Sequence, residues 1–176
     1  FNTTDLAYPE DTHITALFEA HVARQPDAIA LVDGDRQLSY GELNRRANQV
    51  AHFLLLQGIG VEERVGICVE RSLEMVIGLL AIMKAGATYV PLDPHYPRDR
   101  LAYLMEDSGV RIILSQERVR TSLPAVPADD TGPAIRYVWL DAGSDDAGLI
   151  RAHAHHNPGV AIHALILAYV IHISGS

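Results

Sequence analysis

Cysteine is almost missing from this chain: Cys68 is the only one in 176 residues. No disulfide can therefore form within it, and a lone thiol suits a reducing, cytoplasmic setting. Basic runs are missing too. Lys and Arg number 14 against 22 Asp and Glu, a net charge of −8, which argues against nucleic acid as a partner. Long apolar runs are the third absence. None approaches the roughly 18 residues that read as a membrane span, and Phe1–Asn2–Thr3–Thr4–Asp5 has neither a basic n-region nor an apolar h-region, so no signal peptide is expected. There is no internal repeat and no low-complexity tract. What remains is an acidic chain, 48% apolar, with enough apolar material for one domain or one large lobe of something longer.

The densest signal is Met83–Lys84–Ala85–Gly86–Ala87–Thr88–Tyr89–Val90–Pro91–Leu92–Asp93–Pro94. Ser72 to Lys84, leading into it, is apolar on nearly every face, which predicts a helix buried on all sides. Gly86 stands where such a helix needs a left-handed residue. Thr88, Tyr89 and Val90 form a short buried strand, which Pro91 ends.

The remaining elements fall around it. Residues 1–12 are polar and without period, and read as a linker or N-terminal arm. Ile14, Leu17, Phe18 and Val22 share one helical face, and Pro26 stops that helix. Ala28 to Val32 is a strand, and Asp33–Gly34 a hairpin turn. At Leu38–Ser39–Tyr40–Gly41–Glu42–Leu43, Ser39 is an N-cap, Glu42 closes a capping box, and Leu38 and Leu43 form a hydrophobic staple. Gly58 ends that helix. Arg64 to Val69 is a strand that buries Cys68 as a small hydrophobe. Pro97 sits at N1 of a helix with Leu101, Leu104 and Met105 on its apolar face. Val110 to Leu114 and Ile135 to Leu140 are further strands, separated by a loop from Ala125 to Pro133, and a short helix is expected at Ala147 to Arg151. Strands alternating with helices predict an α/β fold, a mostly parallel sheet flanked by helices. The chain closes on Leu165 to Ile173, a long apolar strand, running into Ser174–Gly175–Ser176. Small residues after a strand let backbone N–H groups approach phosphate oxygens.

The stretch from Met83 to Pro94 resembles the second core motif of the adenylation domains of nonribosomal peptide synthetases, within the acyl-adenylate-forming, AMP-binding superfamily. Leu38 to Leu43 resembles the first core motif. Leu167–Ala168–Tyr169 and Ser174–Gly175–Ser176 resemble the start of the third, with His172 where a tyrosine is usual and Ile173 where the family has its first phosphate-binding threonine. The resemblance implies that residues 13–176 are the N-terminal part of an adenylation domain, an incomplete subdomain truncated within its phosphate loop. It implies a reaction of amino acid, ATP and Mg2+ giving aminoacyl-AMP, with loading onto phosphopantetheine of a neighbouring carrier domain and a condensation domain upstream. The family's amino-acid pocket and catalytic lysine lie beyond Ser176, so no catalytic residue is expected here, the chain alone is expected to be inactive, and Ser174, Gly175 and Ser176 are the candidate phosphate-binding residues. Leu165 to Ile173, lacking its usual neighbours, is expected to drive self-association.

Other residues attract attention and are read as structural. His153, His155, His156 and His163 lack the cysteine or carboxylate spacing of a zinc site, so they read as a solvated loop and no metal site is expected. Asp129–Asp130 and Asp145–Asp146 read as solvated acidic pairs, and Arg45–Arg46 as the polar face of its helix. Lys84 is a helix-end cation and Asp93 a turn cap. Two alternatives stay open: a non-catalytic remnant or interaction module of the same fold, and a dinucleotide-binding α/β protein. The latter needs a Gly-x-Gly-x-x-Gly turn between strand and helix, to which Gly58–Ile59–Gly60 is the nearest approach, but on the wrong side of a helix.

Overall fold

Val65–Gly66–Ile67–Cys68 and Ile112–Ile113–Leu114 are apolar without interruption, as strands buried on both faces are. The computed structural model, which describes residues 14–126, 134–141 and 143–158, shows the sheet this pattern demands. The elements run α1 (Ile14–Arg24), β1 (Ile29–Asp33), β2 (Arg36–Ser39), α2 (Tyr40–Leu56), β3 (Arg64–Cys68), α3 (Leu73–Lys84), β4 (Thr88–Pro91), α4 (Arg98–Ser108), β5 (Ile112–Ser115), a 3-10 turn (Glu117–Ser122), β6 (Arg136–Trp139) and α5 (Asp145–Arg151). Strands β4-β3-β5-β6 form a parallel sheet, in register Arg64↔Thr88, Gly66↔Ile113 and Ile113↔Tyr137. Strands β1 and β2 form a separate antiparallel hairpin.

One sheet face carries Val65, Ile67, Ile112, Leu114 and Val138, packed with residues of α2, α3 and α5. The other carries Cys68, Ile113 and Tyr137, packed with Leu101 and Met105 of α4. The α/β fold with helices on both faces of a parallel sheet is therefore as expected. Gly78 lets α3 lie close to the sheet, since a Cβ there would come 2.8 Å from Ile67 Cδ1. Gly86, at φ +79°, turns α3 into β4.

Several local readings need correcting. Helix α3 is not buried on all sides. Leu73, Ile77, Ala81 and Ile82 are buried, whereas Met75, Val76, Leu79, Leu80 and Met83 are half-buried. The reason lies in β4, which is half-buried rather than buried and forms an edge of the sheet among the described residues. In α1, Leu17 is 62% exposed; the face turned inward is Thr15, Phe18 and Val22. Pro97 is the residue before α4, not its first.

Ser39 Oγ accepts from Glu42 N at 3.1 Å as expected, and Leu38 and Leu43 share the core. The reciprocal half of the capping box is not made. Ser39 is engaged in the hairpin ladder, and the Glu42 carboxylate turns to Arg45. Replacing Ser39 with Ala is expected to cost about 0.5–2 kcal/mol, read by urea unfolding; no change would mean that the cap contributes nothing.

Candidate functional site

In parallel α/β sheets ligands bind outside the carboxyl ends of the strands. Here strand β5 ends at Ser115, whose Oγ donates to Cys68 O at the end of β3 (2.6 Å). The next residue, Gln116, is buried. Its Oε1 accepts from Glu70 N at 2.9 Å, and its Nε2 donates to Ser72 Oγ at 3.2 Å and Glu74 Oε1 at 3.0 Å. Ser72 caps α3 by accepting from Met75 N at 3.3 Å. Asp93, the expected turn cap beyond β4, accepts from His95 N at 2.9 Å.

Glu74 is the charged centre of this edge. It is buried in the first turn of α3 and takes both ends of the Arg36 guanidinium, at 2.9 and 3.1 Å. Arg36 also reaches Asp33 at 2.6 Å, and its own pKa is raised, first by Glu74 and then by Asp33. Burial pushes the Glu74 carboxyl up, but Arg36 and Gln116 outweigh it and hold the group below its ordinary range. A carboxyl so depressed contributes stability that is present above its unfolded pKa and is lost as pH falls through the folded value. The chain is therefore expected to lose stability below about pH 4.5, and Glu74→Gln to flatten that fall in an unfolding series across pH; an unchanged slope would mean that Glu74 does not set this pH dependence.

Beside this network a cleft of about 630 Å3 opens between β4 and α3, lined among others by Val69, Arg71, Met75, Leu79, Tyr89 and His95. Among the described residues the edge contains no nucleophile paired with a base. Its carboxylate and amide groups are spent on one another and on backbone N–H groups, and burial, with Asp93 adding to it, pushes the Cys68 thiol up to about 12. Its chemistry is to hold loop backbones in shape.

A second polar cluster lies at the far end of α3. Lys84 is buried and pairs with Glu19 of α1, with the Phe18 ring centroid 5.7 Å from its Nζ. Burial lowers its pKa, opposed by Glu19. Asn157 Oδ1 accepts from Asn48 at 2.9 Å, Asn44 at 3.1 Å and Lys84 Nζ at 3.5 Å. Lys84 is thus more than the helix-end cation that its sequence position suggests. The Oδ1 atoms of Asn44 and Asn48 are buried without a partner among the described residues.

The sequence-predicted residues distribute unevenly. Ser174, Gly175 and Ser176, His163, Asp129–Asp130, residues 1–12 and Leu165 to Ile173 lie outside the described residues. No group of histidines, cysteines and carboxylates that would hold a metal occurs among the described residues. His155 and His156 are exposed, as the reading of a solvated loop has it, and His153 is half-buried; backbone carbonyls of that loop are held by α2. Asp146 is no solvated acid. It is buried and accepts from Trp139 N at 2.9 Å and Arg136 at 3.1 Å. Glu74, Arg36 and Gln116 were not singled out from sequence, although a lone acid in the apolar run Leu73 to Met83 is a legible signal.

A parallel four-stranded sheet with helices on both faces, its strand ends held by a polar network, defines an α/β scaffold. The chain belongs to the family of AMP-binding enzymes, whose family model matches residues 18–176. It is 46% identical over 177 aligned positions, its whole length, to tyrocidine synthase 2 of Brevibacillus parabrevis, of which it spans 4%. Among solved structures it resembles the nonribosomal peptide synthetase FmoA3 in an AMPPNP-bound form, with TM-score 0.69 and 30% identity over 81% of this chain and 14% of that one. It also resembles the N-terminal subdomain of Klebsiella oxytoca NpsA in complex with 3-hydroxybenzoyl-AMSN, with TM-score 0.65 and 26% identity over 85% of this chain and 34% of that one. No helix among the described residues is long and apolar enough to cross a membrane.

Proposed function

We propose that residues 13–176 are the opening part of the N-terminal subdomain of an adenylation domain in a nonribosomal peptide synthetase, with residues 1–12 as the arm that precedes it. The activity of the whole domain is formation of aminoacyl-AMP and pyrophosphate from an amino acid and ATP, followed by transfer to a carrier-bound phosphopantetheine thiol. Mg2+ supplies charge neutralisation on the phosphates when bound. A condensation domain upstream and a carrier domain downstream are the partners of this reading, and self-association through Leu165 to Ile173 is the behaviour proposed for the chain in isolation. The observation that carries the reading is the whole-length likeness to a tyrocidine synthase joined to a parallel α/β fold shared with an AMPPNP-bound synthetase.

Within that activity this chain's own contribution is binding and shape. The backbone N–H groups and hydroxyls of Ser174–Gly175–Ser176 receive phosphate oxygens, and Ile173, lacking a hydroxyl, weakens that contact relative to a threonine. The Glu74–Arg36–Gln116 network fixes the backbone at the carboxyl ends of β3 and β5. In such reactions positioned dipoles and charges stabilise the charge that develops. The isolated chain is expected to show no amino-acid-dependent ATP–pyrophosphate exchange with any of the twenty amino acids. Exchange above a no-enzyme control would contradict the assignment of this stretch as scaffold rather than catalyst.

A further inference from the structure

We propose that the buried ammonium of Lys84 is a shared latch, which couples the docking of α1 to the docking of residues 152–158, so that these two surface segments open and close together.

Lys84 ends α3, and its side chain is only 1% exposed. A charge taken out of water needs partners, because an unpaired one is costly to bury. Both partners come from segments far apart in the chain. Glu19 of α1 supplies a carboxylate, and Phe18 of the same helix sets its ring centroid 5.7 Å from Nζ. From the other end of the described chain, Asn157 Oδ1 accepts from Nζ at 3.5 Å. Glu19 is half-buried and Asn157 exposed, so both cover the ammonium as well as bind it.

Each segment has further holds of its own. Helix α1 turns Thr15, Phe18 and Val22 inward. Residues 152–158 are not held by burial, since only His153 and Pro158 are less than exposed. They are held from α2: Asn48 Nδ2 donates to His155 O at 2.9 Å, Gln49 Nε2 to His153 O at 3.5 Å, and His52 Nε2 to His156 O at 2.8 Å. Among the described residues, Lys84 is the one side chain that bonds to both segments. If α1 lifts, water reaches the ammonium. Its hydrogen bond to Asn157 then competes with water and is weaker than the same bond in a dry site. If residues 152–158 lift, the pair with Glu19 is wetted and weakened in the same way. The coupling is therefore positive, and as a coupling of equilibria it is reciprocal.

The test is limited trypsin cleavage of the folded 176-residue chain. The rate after Arg24, at the end of α1, reads the opening of α1. The rate after Arg151 reads the opening of residues 152–158, and the rate after Arg64, at the start of β3, reads global unfolding. Glu19→Gln is expected to quicken cleavage after Arg151 about fivefold or more. Asn157→Ala is expected to quicken cleavage after Arg24 by a similar factor, and cleavage after Arg64 is expected to move less than about twofold in either variant. Lys84→Met keeps an apolar stem and removes the charge. In that background Glu19→Gln is expected to leave cleavage after Arg151 unmoved. Unchanged or slower cleavage after Arg151 in Glu19→Gln overturns the proposal, and so does unchanged cleavage after Arg24 in Asn157→Ala. Equal quickening at all three sites overturns it as well, because it marks a general loss of stability. A remote effect that persists in Lys84→Met shows that the coupling does not pass through the ammonium and overturns it too.

Discussion

Leu114→Ala is expected to lower the unfolding free energy of this chain by about 2–5 kcal/mol. Leu114 is fully buried in β5, a central strand with β3 on one side and β6 on the other. Its side chain belongs to the cluster that joins the sheet to α2, α3 and α5. Ladder hydrogen bonds on both flanks hold the backbone in place, so a cavity left there cannot easily collapse, which puts the site toward the costly end of such truncations. Against a total stability of about 5–15 kcal/mol, a loss of this size moves the urea midpoint visibly. Val32→Ala in the hairpin is the control: Val32 is 70% exposed, and its loss is expected to stay within about 0.5 kcal/mol. Equal effects of the two substitutions would mean that the sheet does not form the core of the molecule.

The elements that the sequence announces are those whose signal is local. Ser39 caps because a hydroxyl two or three residues ahead of free N–H groups is the nearest acceptor available to them. Gly86 marks a turn because its φ of +79° strains any side chain. The unbroken apolar runs around Val65 and Ile113 identify strands covered on both faces, and the resemblance of Met83 to Pro94 is carried by equally local geometry. What escaped depends on partners distant in the chain. Arg36 and Glu74 are 38 residues apart, and nothing in either neighbourhood announces the other. Lys84 looks like any helix-end cation until Glu19 and Asn157 close over it. Leu17 has the right spacing for the buried face of α1, but α1 turns Thr15, Phe18 and Val22 inward instead. The half-buried side of α3 accompanies the place of β4 at the edge of the sheet among the described residues, which a residue pattern does not contain. Of the candidate site, the polar framework at the strand ends became visible only in three dimensions, whereas Ser174 to Ser176 rest on sequence alone.

The second large effect concerns activity. In a graft, an active relative's adenylation domain in which this chain replaces the aligned stretch, the scaffold is this chain's and the remaining elements are the relative's. If residues 13–176 are the opening part of an adenylation domain, their α/β framework supports the host's chemistry without supplying a reacting group. The Glu74–Arg36–Gln116 contacts shape the strand ends, and the graft retains the host's choice of amino acid. A foreign scaffold of another function would instead misplace the phosphate segment, and a displacement of about 1 Å is enough to cost about a hundredfold in rate.

The most direct measurement is therefore ATP–pyrophosphate exchange by the purified, folded graft with the host's own amino acid. Exchange within about tenfold of the unmodified host is expected, on the order of 1.4 kcal/mol in the barrier, beside none from the 176-residue chain alone. A graft that folds with the host's Tm yet exchanges no better than a no-enzyme control would contradict the adenylation assignment.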